Sequence, residues 1–258
     1  MAMIYLNYFK FFCYVSYVAG FRFLRPFNVG KFLNSVWKGY SWFSDFIMAL
    51  YVFRITCRFF FAVMTTAQIL ETIPTFFYVT QIFIKSVLIR VKAKQLDVYF
   101  FKMKQFMTHR DGDEIFKQIW RKTYTVSNNI CKTLFACQVF GLGLSFLPSL
   151  YSIVADPDAP VIHFAAFYVF RDYHFGFKVF YLILDLISSI FCVVKICAIE
   201  ALYLTCVSFH ISLYEYLTLL LKQIHKKPTH EMKNWTRNHQ EFLRYFKIHF
   251  KIFGILES

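Results

Sequence analysis

The residue types that most often perform catalysis or bind metals are present, but their spacing fits neither role. The seven cysteines include no Cys-x-x-Cys pair, so the spacing of zinc and thioredoxin-like redox sites is missing. His225, His230 and His239 lie in a basic tail at spacings that do not share one helix face, which argues against a metal site there. We therefore predict no metal site and no cofactor.

Motifs of common enzymes are missing as well. The sequence holds no HExxH, no GxSxG, no P-loop and no GxGxxG, so it predicts no catalytic residue and no enzyme. The fragment Gly141-Leu142-Gly143 lies in an apolar run, where we predict that it allows close helix packing. Five cysteines also lie in apolar runs: Cys131, Cys137, Cys192, Cys197 and Cys206. We interpret them as small buried helix residues.

Five charged residues interrupt apolar runs. Arg54 and Arg58 are four residues apart, so on a helix they share one face and either point into a bundle or extend toward headgroups. Asp185, Lys195 and Glu200 lie in another run. Charges buried at membrane depth are candidates for function, whereas Lys195 and Glu200 would be unremarkable if they lay near the headgroups.

The composition favours a membrane protein. Hydrophobic residues make up 58% of the chain and charged residues 17%, against about a quarter in soluble domains. The mean hydropathy is +0.46. The net charge of +14 is concentrated between apolar runs, which is typical of cytoplasmic membrane flanks rather than of a nucleic-acid-binding surface.

Four apolar stretches are long enough to cross a bilayer, for which a helix needs about 20 residues. They cover residues 42–64, 72–91, 130–153 and 178–206. Because an open strand would leave backbone groups unpaired in lipid, each must be a helix. We expect an all-α, polytopic bundle of about four transmembrane helices with cytoplasmic helical extensions. Residues 1–258 form a single membrane domain in this interpretation, with a cytoplasmic helical tail over 207–258.

The distribution of Lys and Arg predicts the orientation. Residues 1–40, 92–129 and the tail are basic, whereas 65–71 and 154–177 are poor in Lys and Arg. The two kinds of segment alternate as four spans require, and positive segments stay cytoplasmic. We therefore expect a multi-pass plasma-membrane protein with both ends inside, unlike a G-protein-coupled receptor. The sequon at Asn234 would then stay unglycosylated.

Several weak features in a particular order carry a family resemblance. Ile69-Leu70-Glu71 opens a polar-capped apolar run, and Leu147-Pro148-Ser149-Leu150-Tyr151 precedes a loop rich in Pro and aromatic residues. Cys206-Val207-Ser208-Phe209-His210-Ile211 follows the fourth span, and the tail holds Asn238-His239-Gln240-Glu241-Phe242-Leu243. The order and spacing of these features, together with the predicted cytoplasmic N-terminus, resemble the N-terminal part of an insect odorant receptor.

The resemblance implies a fold and a set of partners. Receptors of this family have seven spans, an inside N-terminus and a tetrameric ligand-gated cation channel shared with a co-receptor. Ser258 falls near the start of the family's fifth span, so the resemblance implies a fragment, splice form or gene model without the pore-lining last span. A subunit of that kind is expected to bind small volatile apolar odorants, to associate with the bilayer but not with nucleic acid, and to conduct no ions alone.

Apolar and aromatic residues in the outer halves of spans two to four are the expected ligand site, since pockets for such ligands are mostly apolar. The residues are Phe76, Phe77, Tyr78, Phe140, Leu144, Phe146, Phe180, Tyr181 and Leu184. Plain lipid contact or helix packing is the other interpretation of each. A gustatory receptor-like chemoreceptor and a structural or scaffold membrane protein are the alternative functions. The scaffold would use its basic segments to bind anionic lipid or a partner helix.

Overall fold

The computed structural model describes residues 12–21, 31–61, 66–109, 113–155 and 175–224, with residues 236, 239, 240 and 243 beyond them. Several predictions fall outside these residues: positions 156–174 of the expected outer segment 154–177, the histidines His225 and His230, and the sequon at Asn234. The side chain of Arg58 also lies outside the described part.

The described residues are helical except for short turns, and they include no strand, which confirms the all-α prediction. Residues 12–18 form a short helix, α1. Five longer helices follow: α2 (Lys31–Phe61), α3 (Thr66–Val91), α4 (Ala93–His109), α5 (Glu114–Ala155) and α6 (Phe175–Ile224). At 1.5 Å per residue, α5 and α6 are roughly 63 and 75 Å long, so both exceed the thickness of a bilayer core.

The bundle is organised around α6, which packs against α2, α3 and α5, with its most extensive contact on α5. Within the described residues, two segments are long and apolar enough to cross a membrane, Thr72–Val91 in α3 and Leu182–Leu220 in α6. The expected spans 42–64 and 130–153 correspond largely to α2 and α5, and their membrane crossing stays a prediction.

An aromatic core joins α4 to the first part of α5 and the last part of α6. Phe106 contacts both Phe116 and Phe209 edge to face, and Trp120 meets Phe209 in the same way. The helix α4 is amphipathic, because one of its faces carries the buried residues Leu96, Tyr99, Phe100, Met103, Phe106 and Met107. This core holds α4, the first part of α5 and the last part of α6 together.

A hydrogen bond at the start of α5 gives a first testable prediction. The Asp113 Oδ1 atom accepts a hydrogen bond of 3.1 Å from the Phe116 amide, and Asp113 Oδ2 accepts one from the Tyr216 hydroxyl. Asp113→Ala is expected to lower the free energy of unfolding by about 0.5–2 kcal/mol, the usual range for a lost helix N-cap. Asp113→Asn keeps a capping oxygen and should retain most of that stability. Equal losses for the two variants in urea denaturation would contradict the capping role.

The glycine prediction is wrong for the described structure. A Cβ added at Gly141 or at Gly143 would meet nothing within 4 Å, so neither glycine allows another helix to approach closely. Gly20 does so instead: its φ is +81°, and an added Cβ would lie 3.2 Å from the Ser41 Cα atom of α2. The Ser41 hydroxyl donates a hydrogen bond of 2.6 Å to the Gly20 carbonyl. The backbone therefore turns tightly after α1 and contacts α2 directly.

Candidate functional site

A cavity of about 450 Å³ lies among α2, α3, α5 and α6 and is called the four-helix cavity below. Its lining consists of Tyr51, Pro74, Thr75, Tyr78, Val79, Gln138, Gly141, Leu142, Ser189, Cys192 and Val193. None of these lining residues is charged. The volume falls within the range of small-molecule sites, and a mostly apolar lining with a few polar groups is typical of them.

Two pairs of polar side chains lie on this lining. The Tyr51 hydroxyl and Ser189 Oγ are 3.4 Å apart, and both residues are buried. The Tyr78 hydroxyl donates a hydrogen bond of 3.2 Å to Gln138 Oε1. Pro74, on the lining of α3, has no amide hydrogen and so cannot donate to the carbonyl four residues earlier. The cavity thus combines apolar walls with hydroxyl and amide groups at fixed places.

The Tyr51–Ser189 pair belongs to an antiparallel seam between α2 and α6. One helical turn along the seam, Arg54 Nη2 lies 2.6 Å from Asp185 Oδ1, and the two side chains are 6% and 1% exposed. Arg54 follows Tyr51 by three residues and Asp185 precedes Ser189 by four, so each pair shares one helix face. The seam therefore places a buried ion pair directly beside the two hydroxyls.

A second group of charges lies between α2, α3 and α6, near the end of α3 that leads into α4. Lys195 is fully buried, and its Nζ atom lies 2.7 Å from Asp45 Oδ1 and 3.2 Å from Ser86 Oγ. The Asp45 carboxylate is shared, because its Oδ2 atom lies 2.6 Å from Arg90 Nη2 of α3. Lys195 also donates a hydrogen bond of 3.3 Å to the Ala19 carbonyl. These contacts join the segment after α1 to three helices.

The charges that interrupt the apolar runs differ in burial. Arg54 points into the bundle rather than toward headgroups, and Asp185 and Lys195 are buried. Glu200 is only half-buried. Since the charged contacts of Arg54, Asp185 and Lys195 lie between helices, their first consequence is to fix how α2, α3 and α6 pack.

Of the nine residues predicted to bind a ligand, Tyr78 is the one that lines the cavity. Phe76 is half-buried and contacts Phe59 of α2 edge to face. Phe146 is buried and Leu184 half-buried away from the lining, whereas Phe77, Phe140, Leu144 and Phe180 are exposed. The side chain of Tyr181 lies outside the described part. A ligand role for these eight residues stays a prediction, and none of them lines the four-helix cavity.

Sequence reasoning missed most of the lining. Tyr51, Gln138, Ser189 and Cys192 lie on helix faces turned inward, and each is less apolar than the Phe residues that attract attention in a hydropathy profile. A signal was available in the interrupting charges. Asp185 and Arg54 mark the inward faces of α6 and α2, and one turn along those faces leads to Ser189 and Tyr51.

Comparison with solved structures shows the fold. The chain is similar to the olfactory receptor OR5 of the insect Machilis hrabei, with a TM-score of 0.70 and 14% identity over 96% of this chain and 65% of the receptor chain. The same receptor in complex with eugenol gives a TM-score of 0.73 and 16% identity over 97% and 66%. No protein-family model matches the sequence. No curated protein matches it either.

Proposed function

We propose that this chain, which has the fold of an insect olfactory receptor, is a chemoreceptor subunit that binds small, mostly apolar odorants in the four-helix cavity. The cavity carries this proposal, because it lies between four helices, opens on one side and has the volume and lining of a small-molecule site. The eugenol complex of the Machilis hrabei receptor supports it, since that protein of like fold binds a small aromatic molecule.

The proposal extends to assembly and location. The chain is a multi-pass plasma-membrane protein with four spans, and it works with a co-receptor as part of a ligand-gated cation channel. The apolar segments of α3 and α6 support the membrane location. The chain spans slightly less than two thirds of the receptor chains that it resembles, so channel activity and partner choice rest on the resemblance.

A glycosylation assay tests the orientation. With both ends cytoplasmic, the native sequon at Asn234 is expected to remain unmodified in insect cells, because glycosylation takes place on the luminal side. A sequon introduced into residues 154–177 is expected to be modified. Electrophoretic mobility before and after glycosidase treatment measures both, with Asn234→Gln as the control. Modification of Asn234 would place the tail outside and contradict the four-span topology.

Filling the cavity tests the binding site. Gly141 lines the cavity and has open space around it, so the side chain in Gly141→Leu is expected to occupy ligand volume. Forcing a ligand into an overfilled cavity costs about 1–3 kcal/mol, or roughly 5- to 150-fold in affinity. Binding of 4-propylphenol to the purified chain in nanodiscs, followed by calorimetry, measures the change.

Gly143→Leu is the matched control. Gly143 lies on the same helix, is exposed and has equally open surroundings, but it does not line the cavity. The two variants gain the same side chain in the same kind of helix, so effects on folding and lipid contact should be equal. A loss of affinity in Gly141→Leu alone supports the cavity. Equal affinities for both variants and the native chain would place the ligand elsewhere. A chain that binds no probe would favour the scaffold alternative.

A further inference from the structure

The wall of the four-helix cavity contains a pair of hydroxyls that the proposed function does not require. Tyr51 and Ser189 are 4% and 9% exposed, and no charged residue lines the cavity beside them. A hydroxyl taken out of water costs free energy unless it forms a hydrogen bond. A cavity selecting ligands by apolar contact alone would gain nothing from two such groups.

The hydrogen bond between these hydroxyls is a poor one. Their oxygens are 3.4 Å apart, whereas hydroxyl pairs usually lie about 2.7–2.8 Å apart. A ligand oxygen placed between them would provide a closer partner for each. Tyr51 can donate its hydrogen to that oxygen, and Ser189 Oγ can accept the ligand's own hydroxyl hydrogen. A bound alcohol or phenol therefore satisfies both groups better than they satisfy each other.

The neighbouring contacts hold this pair in place. The Arg54–Asp185 ion pair lies one turn away on one side of Tyr51 and Ser189, and the Lys195–Asp45 ion pair joins the same two helices on the other side. Because α2 and α6 are joined by an ion pair on either side, the separation of Tyr51 and Ser189 is fixed by the fold. Preorganised polar groups lose little freedom when a ligand binds, and so they can discriminate between ligands.

Much of the remaining wall favours an apolar ligand body. Val79, Leu142 and Val193 provide apolar surface, and the Tyr78 hydroxyl is already bonded to Gln138 Oε1. A second polar group placed against the apolar walls would lose its water without gaining a partner.

We propose that Tyr51 and Ser189 make the four-helix cavity selective for apolar ligands with one hydroxyl group, aromatic or aliphatic. The proposal rests on the proposed function, since it assumes that this cavity is the binding site. Tyr51 and Ser189 are its specificity-determining residues: Tyr51 donates to the ligand oxygen, and Ser189 accepts from the ligand hydroxyl. An ether of the same shape keeps the first contact and loses the second, and an alkyl analogue loses both.

Three probes of similar shape test this order: 4-propylphenol, 4-propylanisole and 4-propyltoluene. Calorimetry on the native chain in nanodiscs is expected to rank them in that order once their partition into empty nanodiscs is subtracted. Tyr51→Phe keeps the ring and removes the hydroxyl. It should weaken the phenol and the anisole by about 2- to 10-fold each, the usual value of one uncharged hydrogen bond, and leave the toluene within twofold. Ser189→Ala should weaken the phenol alone.

Tyr203→Phe and Ser212→Ala are the matched controls. Tyr203 is exposed on α6, and the Ser212 hydroxyl donates to the Ser208 carbonyl within the same helix, so neither touches the cavity. Both should leave the three affinities unchanged. Equal changes for all three probes in Tyr51→Phe, or no ranking in the native chain, would overturn the hydroxyl selectivity while leaving the binding site intact. Absence of binding by every probe would overturn the proposed function as well.

Discussion

Asp185→Asn is expected to lower the free energy of unfolding by about 3–5 kcal/mol, the cost of breaking a buried ion pair by removing one partner. The substitution keeps the shape of the side chain and removes its charge. The Arg54 guanidinium, 5% exposed and 2.6 Å from Asp185, then stays inside the bundle without its counter-charge. Reversible unfolding in mixed micelles, followed by tryptophan fluorescence, measures the difference from the native chain.

The double variant Arg54→Met with Asp185→Leu is the control for this prediction. Apolar residues of similar volume often replace a buried ion pair without loss, so the double variant is expected to unfold near the native value. Recovery of this kind assigns the loss in Asp185→Asn to the uncompensated charge. A double variant as unstable as the single one would contradict it and would indicate that the pair is irreplaceable for packing.

Asp45→Asn is expected to destabilise the protein more than Lys195→Met does. The Asp45 carboxylate is close to two cations, at 2.7 Å from Lys195 and 2.6 Å from Arg90. Its neutralisation therefore removes the counter-charge of the fully buried Lys195 as well as that of the partly exposed Arg90. We expect a loss of about 3–5 kcal/mol. Lys195→Met removes one cation while Asp45 keeps Arg90, and the loss should be about 1–3 kcal/mol.

Hydrogen exchange distinguishes the two variants further. Because Lys195 donates to the Ala19 carbonyl, Lys195→Met should raise amide exchange in residues 12–21 more than in the aromatic core around Trp120. The exposed Lys122 provides a control, since Lys122→Met removes a cation from the surface of α5. Unfolding free energies in the reverse order, or exchange unchanged in residues 12–21, would contradict this account of the charge cluster.

The long helices were predictable because hydropathy is a property of whole segments. Runs of about 20 apolar residues indicate a helix whatever surrounds them, and α3 and α6 each contain such a run. The partner of a buried charge is a property of the fold. The sequence could not predict that Asp45 is the partner of Lys195, because 150 positions separate them. Only the antiparallel packing of α2 and α6 brings them together.

The binding site was hard to predict for a geometric reason. Consecutive helix residues point about 100° apart, so Phe76, Phe77 and Tyr78 cannot all face one cavity. The structure turns Tyr78 toward Gln138 and leaves Phe77 66% exposed. In a membrane protein apolar residues face lipid as readily as they face a pocket, and an aromatic cluster in the sequence therefore does not define a site. Polar residues within apolar helices are the better guide, because lipid would not satisfy them.

Photolabelling tests most directly whether the four-helix cavity is the ligand site. A 4-propylphenol derivative with a diazirine on its propyl chain is bound to the chain in nanodiscs, irradiated and mapped by mass spectrometry. We expect adducts on peptides that contain Val79, Leu142 or Val193, which line the cavity, and we expect excess 4-propylphenol to prevent them. Adducts confined to exposed residues such as Phe77 and Phe140, and insensitive to that competition, would contradict the account.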